Sequence, residues 1–207
     1  MVETGITPDF IAVDGGEGGT GAAPLEFSNH IGAPLVEGLI FVHNSLVGYG
    51  VRKNIRVIAS GKVASGFDVL KRIALGADAC YSARSMMLAL GCIQALKCNS
   101  NHCPVGVATQ KRHLMAGLVP SEKSVRVCSF HHETITSLCE MLGAIGLQRA
   151  EDLRPWHILH RTSPTETKHY GEIYEFLDEG ELLEEPIRAS FQRACQAAAA
   201  HTFDHVT

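Results

Sequence analysis

The sequence predicts an α/β fold built on a parallel sheet, and three observations carry that expectation. Two short, partly β-branched apolar runs, residues 10–13 and 55–59, each stop at a glycine-bearing turn, as buried strands of parallel type do. Residues 34–49 and 65–75 follow them, the second with Phe67, Leu70 and Ile73-Ala74 at the spacing of a helix packed on a sheet. A less hydrophobic run, residues 77–81, follows Gly76 and precedes the apolar run 86–90, which makes it the third strand of a strand–helix alternation. Alternation with short connections places ligands at the loops after the carboxyl ends of the strands.

Beyond Gln110 the pattern changes. Residues 121–142 and 186–200 read as helices, joined by a polar stretch with Pro155, Pro164 and several histidines. The chain thus divides into residues 1–110, which carry the alternation, and residues 111–207, a helical extension of the same domain.

Composition narrows the function classes. A chain of 207 residues, 45% hydrophobic and 19% charged, has the make-up of a globular protein with a buried core. Its net charge of −4 provides no broad basic field, which argues against nucleic acid and membrane surfaces as partners. Met1-Val2-Glu3-Thr4-Gly5 lacks the order of a secretory signal, and no apolar run approaches the roughly 20 residues of a membrane span. The expected location is cytoplasmic, where seven cysteines point to thiols that are free or hold metal rather than to a disulfide framework.

The loop after the first strand has five glycines between Asp14 and Gly21, a backbone bare enough to approach a ligand closely and turn its amides toward an anion. Glu17 within it is the candidate catalytic carboxylate: it could orient a substrate amine or cap a turn. The second strand ends in Ser60-Gly61-Lys62, and the third leads into Ser82-Ala83-Arg84. Glycine amides and cations at successive strand ends favour a bound phosphate.

Cys92, Cys98 and Cys103 fall within twelve residues, with Pro104 directly after the last. Zinc favours tighter pairs and a fourth ligand, whereas iron–sulfur clusters accept thiolates on looser loops and often have Cys-Pro. Three thiolates without an evident fourth suit a three-iron cluster; a zinc site completed by His102, or three buried small residues, are the other readings. Cys80, Cys128, Cys139 and Cys195 are isolated. His131-His132-Glu133 fails as a helical zinc motif, because Ile135 and Thr136 stand where a second histidine is needed.

In the order in which they occur, these motifs resemble the FMN-binding domain of glutamate synthases, from about Pro8 to Gln110. Ala89-Leu-Gly-Cys-Ile and Cys103-Pro-Val-Gly-Val-Ala-Thr-Gln110 match that family's cluster region. The resemblance implies a 3Fe-4S cluster on Cys92, Cys98 and Cys103. It further implies FMN phosphate at Ser60, Gly61, Lys62, Ala83 and Arg84, and 2-oxoglutarate near Gly18, Gly19, Thr20 and Gly21. The large bacterial members tend to have Asp at Glu17, Asp-Gly-Gly at Ser60-Gly61-Lys62 and Gly-Thr at Ala83-Arg84. This chain is therefore more similar to the smaller branch that lacks a fused glutaminase.

By resemblance the fold is the carboxy-terminal portion of a (β/α)8 TIM barrel, about strands six to eight, followed by the helical extension. A complete barrel takes about 250 residues, so the remaining strands become an expected partner and the isolated chain is expected to be unstable or to associate. The implied activity is reduction of an imine of 2-oxoglutarate to glutamate. It would draw on an ammonia source and on electrons from ferredoxin or an NAD(P)H-dependent subunit. The rival expectations are an N-methylglutamate synthase-type subunit, a non-catalytic fragment or electron-transfer subunit, and a zinc-binding module.

Overall fold

The computed structural model of the protein describes residues 1–17, 23–199 and 201. Its sheet has three parallel strands, β1 (Phe10–Asp14), β2 (Arg56–Ser60) and β3 (Ala79–Tyr81), in the order β1-β2-β3. The register runs from Phe10 opposite Arg56 to Asp14 opposite Ser60, and Ser60 in turn faces Tyr81. Strands adjacent in sequence are thus adjacent in space.

Helices α1 (Leu25–His30), α2 (Leu35–Gly48) and α3 (Gly66–Ala74) follow β1 and β2. Leu35, Leu39 and Leu46 line one stripe of α2 and pack with Val57 and Ala59, which alternate along β2, and with Ile11 and Val13 of β1. Helix α3 starts at a capping box: Ser65 Oγ accepts from the Asp68 N–H at 3.2 Å, and Asp68 Oδ2 accepts from the Ser65 N–H at 3.1 Å.

The opposite face of the sheet is not covered by any of the described residues. Phe10 is 55% and Tyr81 52% exposed, and Ala12, Asp14, Arg56 and Ala79 are exposed with them. β3 begins two residues later than its sequence suggests. The Ala77 N–H is spent on the Arg72 carbonyl, and the Asp78 carboxylate accepts from the Val57 N–H at 2.7 Å.

After α4 (Arg84–Leu90) comes a long loop with α5 (Arg112–Met115), then the 26-residue α6 (Pro120–Ile145). α6 opens on proline and closes on Gly146 in the left-handed conformation, φ 85°. Leu138 and Leu142 on α6 pack on Leu70 and Ala74 of α3, with Leu153 and Ile158 completing that cluster.

The polar stretch between the two expected helices of the extension has secondary structure of its own. It contains an antiparallel hairpin, β4 (Leu159–Ser163) with β5 (Glu166–His169), before α7 (Tyr170–Ile173) and α8 (Ala189–Ala197). Leu159 is the one apolar residue among the hairpin's strand positions, so the period-two alternation that betrays a half-buried strand is missing. This part folds back on the strand–helix half. Asn44, buried on α2, donates to the Glu175 carbonyl at 2.9 Å and accepts from the Leu177 N–H at 3.2 Å. Among the described residues no helix is long and apolar enough to cross a membrane.

Candidate functional site

The three loops after the strands meet at one end of the sheet. The Gly15 N–H donates to the Ser60 carbonyl at 2.8 Å, extending the ladder past the last residues of β1 and β2. Gly15 is buried, and a Cβ there would stand 2.5 Å from Leu35 Cβ, so a side chain has no room between the loop and α2. Glu17 turns back to α2: its Oε2 accepts from the Leu35 N–H at 2.9 Å, at the first turn where no other side chain caps the helix. The candidate catalytic carboxylate is thus engaged as a helix cap.

Gly61 is buried at φ 145°, which favours glycine, and it directs the chain to Lys62, exposed at φ 47°. The next loop is tied to this one by two hydroxyls. Ser82 Oγ and Ser85 Oγ donate to the Val63 carbonyl at 2.9 and 3.1 Å, and they lie 2.5 Å from each other. Ala83 and Arg84, at the start of α4, follow immediately, both exposed. Neither Lys62 nor Arg84 has an ion-pair partner among the described residues. Two uncompensated cations beside a tight glycine turn form an environment that favours a dianion. Gly18, Gly19, Thr20 and Gly21 lie outside the described residues.

The cysteine loop leaves α4 at Gly91, φ 105°, and winds through Gln94, Leu96 and Asn101 in the left-handed region. Asn101 closes it: the Thr109 hydroxyl donates to its carbonyl at 2.8 Å, and the Gln110 N–H donates to its Oδ1 at 2.6 Å. Cys103 is buried at 7% exposure. The Ala108 N–H first, with those of Val105, Val107 and Gly106, points at its sulfur and holds the thiol below its ordinary range against the opposing effect of burial. Cys92 Sγ accepts from the Gln94 N–H at 3.4 Å, and Cys98 is exposed.

Sequence reasoning missed Ser85 and Asn101. Asn101 had a faint signal, since asparagine is the residue other than glycine that best tolerates a left-handed turn. Among the described residues no group of three or more histidine, cysteine or acidic side chains is placed to hold a metal ion, so the three cysteines are not brought together. The donor chemistry nonetheless fits a cluster, with three thiols on one irregular loop and one sulfur already held by amides. His102 is occupied otherwise: its Nδ1 lies 2.6 Å from the Ser100 carbonyl and its Nε2 against Lys111 Nζ.

Comparison with known proteins finds a matching family and several relatives. A family model described as the conserved region in glutamate synthase matches residues 2–148. The chain is 38% identical over 161 residues to the glutamate synthase large subunit-like protein YerD of Bacillus subtilis, covering 78% of this chain and 31% of that protein. It is 40% identical over 146 residues to the archaeal glutamate synthase [NADPH] of Methanocaldococcus jannaschii, covering 70% and 29%. It is 36% identical over 172 residues to ferredoxin-dependent glutamate synthase 1 of Arabidopsis thaliana, covering 80% and 10%. The chain therefore spans less than a third of the length of these relatives. With a match over well over half of its residues, the chain belongs to the glutamate synthase family.

Proposed function

We propose that this chain supplies the flavin-phosphate, substrate and iron–sulfur loops of a cytoplasmic glutamate synthase-type oxidoreductase that reduces the imine of 2-oxoglutarate to glutamate. The observation that carries this reading is the joining of three strand-end loops, by Gly15 to Ser60 and by Ser82 and Ser85 to Val63, beside Lys62 and Arg84, cations with no ion-pair partner among the described residues. Ser60, Gly61, Lys62, Ala83 and Arg84 would hold the phosphate of FMN. Gly18, Gly19, Thr20 and Gly21 would approach the substrate, and Cys92, Cys98 and Cys103 would ligate a 3Fe-4S cluster.

When bound, the flavin supplies the hydride for the imine and the cluster supplies single electrons. The chain's own residues bind and orient. Lys62 and Arg84 neutralise the phosphate, and Glu17 fixes the first loop to α2 through the Leu35 N–H. The amides around Cys103 favour its thiolate, the form in which sulfur ligates iron.

Relatives named for NADPH and for ferredoxin support an electron donor of one of these kinds. The uncovered sheet face, with Phe10 and Tyr81 on it, supports the three strands being an arc of a (β/α)8 barrel that further strands complete. The test is anaerobic purification of the chain, with visible absorbance and assays for iron, acid-labile sulfide and released FMN. Iron, sulfide and FMN near one set per chain are expected where the chain associates or is complemented into a closed barrel, and a colourless, aggregated product is expected where it stays an open arc. Loss of FMN alone would remove the phosphate-loop assignment, and zinc in place of iron would remove the cluster assignment.

A further inference from the structure

A cleft of about 740 Å3 opens at the other end of the sheet, where α2 and the segments leading into β2 and β3 meet the returning chain at residues 151–179. That volume lies in the range of small-molecule sites. Ile73, Leu153, Pro155 and Phe176 form the apolar part of its walls, and Trp156 lies at the cleft with 58% of its surface exposed. His43 lines it from α2, with its ring edge against Phe176 and its Nδ1 accepting from Arg52 Nε at 3.3 Å. Burial, and then the charge of Arg52, push this imidazole down to about 4, so it is neutral near pH 7.

Among the described residues the charged groups around the cleft are paired, with one exception, and His169 lies 3.4 Å from Glu172. Arg52 meets Asp78 at 2.7 Å, Glu179 meets Lys53 at 2.7 Å, and Glu151 pairs with Arg149. Arg154 has no carboxylate partner among the described residues. Its Nη1 donates to the Glu151 and Leu153 carbonyls, both at 2.7 Å, which orients the guanidinium and leaves Nε and Nη2 without an acceptor among the described residues. The cleft thus combines an exposed indole, a positioned cation with donors to spare, apolar walls and a neutral histidine. That set matches a ligand with one flat aromatic part and one anionic part.

We propose that this cleft is a nucleotide-binding site, distinct from the loops at the carboxyl ends of the strands. The base stacks on Trp156, and the phosphate is held by Arg154. The site faces the amino-terminal ends of β2 and β3, so a nucleotide there binds without competing for Lys62 or Arg84.

Trp156 is the only tryptophan in the chain, so intrinsic fluorescence reads the site directly. The full chain is titrated separately with AMP, GMP, CMP and UMP, and saturable quenching is expected with at least one. Adenosine and inorganic phosphate should each bind at least about tenfold more weakly than the best nucleotide, because each lacks one of the two contacts. Arg154→Gln should weaken the nucleotide about tenfold with an unchanged circular dichroism spectrum. Trp156→Phe, followed by calorimetry, should retain part of the affinity. Lys62→Gln and Arg84→Gln should leave the affinity as it was.

Absence of saturable quenching with all four nucleotides overturns the proposal. Equal affinity in Arg154→Gln, or adenosine binding as tightly as AMP, overturns it as well. Loss of binding in Lys62→Gln or Arg84→Gln places the nucleotide at the other end of the sheet and overturns it too.

Discussion

Arg52 Nη2 lies 2.7 Å from Asp78 Oδ2 and joins the amino-terminal approaches to β2 and β3. The same carboxylate oxygen accepts the Val57 N–H at 2.7 Å, while the guanidinium also donates to the carbonyls of Ile55 and Gly76 at 2.8 Å. The pair is half-buried, so its hydrogen bonds contribute more than those of a solvated ion pair. Asp78→Ala leaves the Val57 N–H without its acceptor and Arg52 without its counter-charge, and should destabilise the fold by about 1–3 kcal/mol, read from urea denaturation.

Helix α3 tests the local rules. Ser65→Ala removes the acceptor for the Asp68 N–H and half of the capping box. A loss of about 1 kcal/mol is expected, with Ser65→Asp retaining most of the stability. A change near zero would mean that α3 is held by its packing on α6 alone.

His43 gives stability a pH dependence. The ordinary value of 6.5 falls to about 4 in the fold, so below 6.5 the unfolded chain takes up a proton that the folded chain refuses. Its contribution is complete above pH 6.5 and declines as the pH falls toward about 4. The decline should amount to roughly 3 kcal/mol at most, and His43→Gln should flatten it. Denaturation midpoints across this interval in both proteins provide the comparison.

The cysteines divide into two sets under the proposed function. Serine at Cys92, Cys98 or Cys103 should each abolish iron and sulfide incorporation, whereas Cys128→Ser and Cys139→Ser on α6 should leave it intact. Anaerobic reconstitution followed by iron and sulfide analysis separates these outcomes.

Lys62→Gln and Arg84→Gln should each weaken FMN about tenfold or more, since a charge-assisted hydrogen bond to phosphate is worth about 1.5–3 kcal/mol. Riboflavin, which lacks the phosphate, should bind both variants as it binds the parent. Equal losses for the two ligands would argue against phosphate contacts at these residues.

Much of the fold was legible because its determinants are local. Val57 and Ala59 alternate within β2, Leu70 and Ala74 repeat at helical spacing in α3, and Gly61 marks the strand-end turn. The loop with Cys92, Cys98 and Cys103 was visible for the same reason, since all three sulfurs come from one short stretch. The hairpin was not legible, because Leu159–Ser163 and Glu166–His169 are polar apart from Leu159 and present no period.

By itself, the sequence determined the alternation of strands and helices, the glycine-rich strand ends, the cysteine spacing and the family. Tertiary structure alone decided that Glu17 caps α2, that Ser82 and Ser85 join two loops at Val63, and that Asn44 holds the chain at Glu175 and Leu177. It also brought His43 and Arg154 into one cleft. The physical reason is range. Hydrophobic period and turn chemistry act between near neighbours, whereas the partners of Asn44, and the Phe176 and Arg154 that meet His43 at the cleft, come from more than a hundred residues away and meet only once the core between them has formed.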